Sequence, residues 1–538
     1  MKPQPRQRPL GDFAITPAML RIAFLAIPVG MLGAVAAYLL LKLIGLTTNL
    51  VFYARWSTDL VAPGSQHHPW WLVLGAPIVG GLVIGVMARF GSDKIRGHGM
   101  PEAIEAILTG GSKVQPKVAV LKPVSAAISI GTGGPFGAEG PIIMTGGAIG
   151  SILSQHLHLS ADERKTLLVS GAAAGMAATF NTPLAAVLLA VELLLFEWRP
   201  RSFVPVGVAV TVATLLRAPM LGSNPIFPVT ATAHIPAEAT LLAAVVGLTG
   251  GLLAIGVTWL VYRSEDAFAR LPIHWMWWPA IGGLIIGLGG LVEPRALGVG
   301  YDVIDQLLTG QAGLSLIAGI LVIKTLIWAL SLGSGTSGGV LAPIFMIGGA
   351  LGALEGQLLP HVFPGFWAML GLAAVVGGVM RSPLTGVVFT MELTHAWSAA
   401  LPLFVASVVA YAASTLLLRR SILTEKIARR GLHLTRDYST DPLETFFVRE
   451  VAELGPQPAA TAKALLAQGG PALEGSATVR HAAFVFATAD GDLCAVLEDG
   501  EPVGVLTMRA LLVPRLHDIT EEQVRERHLG PRRRPAAV

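Results

Sequence analysis

Apolar residues dominate the first 430 positions, interrupted at short intervals by glycine and proline, and give way to a polar stretch after Arg430. Residues 21–49 form a first run long enough to cross a bilayer, which takes about 20 residues of helix. Many later runs are shorter and are cut by Gly or Pro; 141–154, 165–178 and 183–196 are examples. Short, interrupted segments of this kind predict helices that break inside the membrane. Irregular backbone at that depth persists only where it is buried in protein or lines a cavity.

The pattern repeats. Pro77, Gly80, Gly81 and Gly85 have counterparts in Pro279, Gly282, Gly283 and Gly287, each displaced by 202 positions. The same displacement pairs Lys122 with Lys324, and Gly131 and Gly133 with Gly333 and Gly335. It also pairs Pro141, Gly146, Gly147 and Gly150 with Pro343, Gly348, Gly349 and Gly352. Further on it relaxes to 200: Pro183-Leu184 matches Pro383-Leu384, and Val191-Glu192-Leu193 matches Met391-Glu392-Leu393. The membrane part therefore reads as two homologous halves, 21–235 and 236–430, with broken helices at matching places whose ends meet near the middle of the bilayer. An odd number of spans in each half would invert one against the other.

Residues 431–538 are polar and carry the breakers Asp441-Pro442, Gly455-Pro456 and Gly469-Gly470-Pro471. Segments 482–488 and 493–497 read as strands and 502–513 as a strand leading into a helix, which makes a small α+β cytoplasmic domain. Its basic end, Arg532-Arg533-Arg534, reads as a solvated tail, with anionic lipid as the alternative contact. Residues 1–20, with Lys2, Arg6 and Arg8, read as a cytoplasmic arm. No small-residue cleavage site follows the first apolar core, so that span is expected to be retained rather than removed as a signal peptide.

Composition narrows the class. Hydrophobic residues make up 53% of the 538 positions and charged residues only 13%, about half the charged share of an ordinary soluble domain. Mean hydropathy is +0.64. The reading is an all-α polytopic integral membrane protein, in the cell (inner) membrane with both termini cytoplasmic, in contact with membrane lipid. The net charge of +4 comes from basic residues at the ends and in short loops, as cytoplasmic anchoring predicts. No basic stripe interleaves with aromatics, so nucleic acid is not expected as a partner. Cys494 is the single cysteine, which excludes an intrachain disulfide and a cysteine metal cluster. No metal or cofactor is expected. His67, His68 and the tryptophans within 70–71 and 275–278 fit an interfacial aromatic belt.

Candidate chemistry is concentrated between Gly131 and Gly150, where a glycine-rich loop runs into an apolar segment with one carboxylate, Glu139, at the junction. Gly140-Pro141 suits the first turn of a helix, because the φ of proline is preset and the N–H it lacks has no partner there. Glycines let backbone approach a ligand closely, and the free N–H groups of a helix start favour an anion. An ionisable residue at such a place in hydrocarbon is a functional-site candidate; plain helix capping is the alternative. Lys122 and Lys324 either raise the positive potential along an anion path or pair with a carboxylate or a helix C-terminus. Two other classes compete. Gly335-Thr336-Ser337-Gly338 formally matches the Gly-x-Ser-Gly of rhomboid proteases, with His361 or His395 as base, but the repeat copy of this loop has no serine. A purely structural membrane scaffold would leave a glutamate in broken helices without a purpose. The Gly131-x-Gly133 run is not a dinucleotide fingerprint, since its third glycine is misplaced and no strand precedes it.

Gly137-Ala138-Glu139-Gly140-Pro141 resembles the Gly-x-Glu-Gly-Pro signature of the CLC chloride channel and proton/chloride exchanger family. Gly97-His98-Gly99-Met100-Pro101 resembles its Gly-Ser-Gly-Ile-Pro loop, and Gly338-Gly339-Val340-Leu341-Ala342-Pro343 its Gly-x-Phe-x-Pro loop. Gly171-Ala172-Ala173-Ala174-Gly175, Phe180-Asn181, Pro183-Leu184, and the run from Pro383-Leu384-Thr385-Gly386 to Glu392-Leu393-Thr394 fit as well. The resemblance covers roughly 21–430. It implies an inverted repeat of about eighteen helices per subunit, a homodimer with one pore in each subunit, and chloride or a similar small anion, together with protons, as partners.

Carried over position by position, the resemblance makes Glu139 the gating glutamate, which competes with an anion at helix N-termini and swings away on protonation. It places an anion site at His98, Gly99, Gly137, Gly140, Val340, Leu341 and Leu423, and makes Lys122 and Lys324 pathway charges. Several of these positions depart from the family pattern. His98 stands in place of a coordinating serine; imidazole there either donates a hydrogen bond and carries charge near neutral pH or stays neutral against backbone. Leu341 replaces a phenylalanine, and Leu423 falls where a coordinating tyrosine usually stands. Leu193 takes the place of the inner proton-relay glutamate of the exchangers, as an apolar residue does in channel members. Glu192 beside it has a repeat partner in Glu392, which points to a shared structural job; Glu197 would reach the relay position if a four-residue insertion, about one helical turn, were allowed. The ungapped comparison favours a conductive channel, with a proton-coupled antiporter as the alternative. Gly500-Glu501-Pro502-Val503-Gly504-Val505-Leu506-Thr507 with Leu511-Leu512 resembles one divergent copy of a cystathionine-β-synthase (CBS) module, too little to imply a nucleotide site.

Overall fold

A computed structural model of the chain describes residues 18–108, 111–232, 234–432, 441–489, 491–517 and 520. Most of the expected N-terminal arm, and the Arg532–Arg534 tail, lie outside these. The chain divides into two compact units, one spanning Phe13–Arg436 and one holding Asp437–Val538.

Among the described residues, seven helices are long and apolar enough to cross a membrane, from Met19–Phe52 and Trp70–Phe90 to Ala237–Ala269 and Trp397–Arg429. Shorter apolar helices lie between them, among them Leu341–Glu355 and Phe366–Met380. The run expected at 141–154 forms the helix Glu139–Gln155. The run at 165–178 extends to Ala161–Phe180, because Ser160 and Glu163 make a reciprocal capping box ahead of the apolar residues. The run at 183–196 begins with Pro183 at its first turn, then widens into a π-helical stretch, Ala190–Leu195, and stops at Phe196 in the left-handed region.

The repeat seen in the sequence is also a symmetry of the packing. Helices Trp70–Phe90 and Trp278–Val292 cross so closely that a Cβ at Gly81 would lie 2.2 Å from the Pro279 carbonyl oxygen, and one at Gly283 would lie 2.2 Å from that of Pro77. Each contact is the other's image under the 202-residue displacement. Within the first half, helices Glu139–Gln155 and Ala161–Phe180 cross at Gly146 and Gly171; within the second, Leu341–Glu355 and Phe366–Met380 cross at Gly348 and Gly371. Small residues let backbones touch where apolar burial supplies no drive between helices in lipid.

The second unit holds a four-stranded sheet in the order Glu453–Leu454, Glu501–Thr507, Leu493–Glu498, Ala472–Glu474. The central pair is an antiparallel hairpin turned at Asp499-Gly500, both at positive φ, as a two-residue turn requires. Segments 493–497 and 502–513 behave as expected. Segment 482–488 does not: it belongs to the helix Val479–Thr488, capped by the Thr478 side chain. Val479, Ala482 and Phe486 are its buried residues, and their spacing of three and four is a helical stripe that two intervening aromatic and β-branched residues disguise as strand.

Candidate functional site

Three glycine-flanked helix starts from the two halves converge in the core of the first unit. Gly137 and Gly339, equivalent under the repeat, exchange both backbone hydrogen bonds: Gly137 N–H donates to Gly339 at 3.2 Å and Gly339 N–H to Gly137 at 2.8 Å. A parallel bridge joins Gly97 to Ser337. Gly140 packs against the His98 carbonyl, with no room for a side chain. These contacts bring the three loops together at the pseudo-twofold axis.

Glu139 is fully buried. Its Oε1 accepts hydrogen bonds from the N–H groups of Leu341 and Ala342, the latter at 3.1 Å. Those are the first amides of the helix Leu341–Glu355, for which Val340 is the N-cap residue. A carboxylate from one half thus occupies the anion-favouring end of a helix from the other. Its Oε2 is buried with no hydrogen-bond partner among the described residues.

The other expected donors are arranged differently. The Gly137 amide is spent on Gly339, and the Gly99 amide donates to Glu102 Oε2 at 3.1 Å. Glu102 is itself nearly buried and accepts from Arg430 at 2.6 Å through Oε1. His98 is buried, and its Nδ1 has no hydrogen-bond partner among the described residues. It lines a cavity of about 360 Å³ together with Arg96, Glu102, Tyr262, Lys426 and Arg430. Leu423 is buried in the apolar core, and its side chain offers no polar atom. Lys122 and Lys324 are both fully buried without an ion pair among the described residues; each donates to two carbonyls, Ile95 and Gly97 for the first, Ala296 and Gly298 for the second, at 2.7–2.8 Å. Their partners are thus backbone carbonyls, not carboxylates, among the described residues.

The sequence pattern of the voltage gated chloride channel family matches this chain over residues 80–415. The chain belongs to that family. Members transport anions and are not enzymes, which removes the protease reading; Ser337 pairs with the Ser125 hydroxyl at 3.0 Å. Similar proteins include the voltage-gated ClC-type chloride channel ClcB of Salmonella typhimurium, 29% identical over 76% of this chain and 100% of that one. The H(+)/Cl(-) exchange transporter ClcA of Citrobacter koseri is 32% identical over 57% of this chain and 68% of that one. The fold is shared with a slow cyanobacterial Cl-/H+ antiporter, with TM-score 0.65, 23% identity and coverage of 78% and 99%.

Family membership sharpens the question of where protons could move. Leu193 is fully buried on the π-helical stretch. Glu192 Oε2 accepts from Thr385 N–H at 3.0 Å and from the Thr385 hydroxyl. Its repeat mate Glu392 accepts from Leu184 and Ala185 N–H at 2.9 and 2.8 Å. Each caps the first turn of the other half's helix. Glu197 lies in the loop beyond the π-helical stretch, bonded to Ser202 and within 4.0 Å of Lys165, Arg199 and Arg201. Burial alone would push its carboxyl up, but Ser202 and those three cations hold it below the usual carboxylate range.

Ala342, Glu102 and Tyr301 were not singled out from the sequence. Ala342 follows from its place one residue beyond Leu341. Tyr301 had a signal too: Gly298-Val299-Gly300-Tyr301 repeats Gly97-His98-Gly99-Met100 at a displacement of 201.

Proposed function

We propose that this protein conducts chloride, or a similar small anion, along a path that passes Glu139, and that protonation of Glu139 opens it. The carboxylate and a permeant anion compete for the Leu341 and Ala342 amides; a proton removes the charge that holds the side chain there, and the helix end becomes free for the anion. The observation behind the channel reading is the state of the proton-relay candidates. Leu193 is buried and aliphatic, Glu192 caps a helix, and Ser202 and three cations hold the Glu197 carboxyl below the usual carboxylate range. The buried Lys122 and Lys324 keep the path positive. A homodimer with one pore per subunit, cytoplasmic termini and a single CBS-like cytoplasmic domain belong to the same proposal.

A proton-coupled antiporter is the second reading, favoured by the exchange transporter among the relatives. Purified protein in liposomes under a chloride gradient, with external chloride and pH followed together, separates the two. Chloride efflux without uphill proton movement supports the channel. Uphill proton movement overturns it and turns attention to Glu197. No chloride flux in either wild type or Glu139→Ala would overturn chloride as the substrate.

A further inference from the structure

The second half places an aromatic hydroxyl where the first half has Met100. Tyr301 opens the helix Tyr301–Leu308, and its N-cap, Gly300, has φ 83°. Gly300 lies against Met346 of the helix Leu341–Glu355, with a Cβ there only 2.3 Å from the sulfur. Tyr301 is thereby fixed beside the helix whose N-terminus holds Glu139. The ring packs edge-on against Phe227 at 5.9 Å. Its Oη is buried with no hydrogen-bond partner among the described residues, as is Glu139 Oε2, and the Glu139 carboxylate lies within electrostatic range of the hydroxyl. Phenylalanine would make the same ring contacts without burying an unsatisfied hydroxyl, which ordinarily costs about 1–3 kcal/mol.

We propose that the Tyr301 hydroxyl donates a hydrogen bond to the Glu139 carboxyl once it leaves the Leu341 and Ala342 amides, making Tyr301 the positioning residue of the withdrawn gate. The inference rests on Glu139 acting as a gate. The charged groups nearest this corner are Lys324, which is committed to the Ala296 and Gly298 carbonyls, and Asp302, which is exposed. Lys324 spends two of its three N–H donors on those carbonyls, and Asp302 lies at the surface rather than beside the buried hydroxyl.

The test is chloride efflux from liposomes for wild type, Tyr301→Phe, Glu139→Ala and the double variant, between acid and neutral pH. Tyr301→Phe should be about three- to tenfold slower at a pH where wild type is half open, the range one hydrogen bond allows, and its opening should shift to lower pH. In the Glu139→Ala background the same substitution should change nothing. Equal rates and pH profiles for wild type and Tyr301→Phe would overturn the inference alone. So would an equal slowing in both backgrounds, which would mean packing. A wild type and a Glu139→Ala variant that both carry no anion would overturn the gate reading, and this inference with it.

Discussion

The Glu139 carboxylate accepts the amide hydrogen of Leu341, the residue that stands at its own position in the other repeat half. In the gate proposed above, the same helix start that would bind an anion binds the side chain that excludes it. Charge is what holds the side chain there, since ionised acceptors make hydrogen bonds roughly twice as strong as neutral ones. The proposed gate is therefore expected to open as pH falls and to close as it rises. Glu139→Gln is expected to carry anion at neutral pH about tenfold faster than wild type, equivalent to about 1.4 kcal/mol, with no further rise on acidification. A glutamine variant that keeps the wild-type pH profile would count against the gate.

Glu192 and Glu392 predict a different signature. Each carboxylate caps a helix start across the interface between halves, so its loss should cost stability rather than transport selectivity. Hydrogen bonds to a charged group contribute about 1.5–3 kcal/mol. Glu392→Ala should lower the thermal midpoint in detergent by several degrees, and Glu192→Gln by less, because an amide still accepts from Thr385. The ratio of protons to anions moved should be unchanged in Glu192→Gln. A change in that ratio at wild-type stability would make Glu192 a relay.

Glu197 ties stability to pH in a direction that can be worked out. Its folded carboxyl titrates below the ordinary value, which is about 4.3 for glutamate. The stabilisation is therefore complete above that value and is lost as pH falls through the depressed folded one. Glu197→Gln should be less stable than wild type at pH 7, and the gap should close in strong acid. Thermal unfolding of both proteins across pH checks this; a gap that widens on acidification contradicts the ion-pair account.

Much of this was legible in the sequence because the repeat wrote each constraint twice. Gly81 and Gly283, or Glu192 and Glu392, stand out as pairs before their contacts are known, and broken helices follow from Pro141 and Pro343 at matching places. What the sequence hid depends on which partner wins a donor. Gly99 carries a free-looking amide in any sequence reading, yet Glu102, three residues on, takes it. The Gly137 amide goes to its own repeat mate. The helix at Val479–Thr488 looks like a strand in sequence because Phe484, Val485 and Phe486 favour strands locally, whereas its burial follows a helical stripe.

The separate C-terminal unit offers a simple check of its own core. Cys494 is buried on the strand Leu493–Glu498, and burial pushes its thiol up to about 12. With almost no thiolate at neutral pH, the thiol should be inert. A maleimide should leave the native protein unlabelled over an hour at pH 7 and label it completely in denaturant. Rapid native labelling would place Cys494 outside the core.

Glu102 serves two masters, accepting the Gly99 amide with one oxygen and Arg430 with the other. Arg430 also bonds Glu105, and thereby ties the end of the helix Ile422–Arg429 to the helix Met100–Leu108. Removing one member of a buried pair leaves the other charge uncompensated, which costs about 3–5 kcal/mol when both are buried. Arg430 keeps 32% of its side chain exposed, so Arg430→Ala should cost less than a fully buried pair would, about 2–3 kcal/mol. Glu102→Gln removes the buried charge itself, while its amide oxygen can still accept from Gly99. The double variant should therefore be more stable than the sum of the two single losses requires, with a coupling of at least about 1 kcal/mol. Strict additivity in thermal or denaturant unfolding would mean that the two side chains do not act as a pair, and that the Gly99 amide is held by Glu102 without help from Arg430.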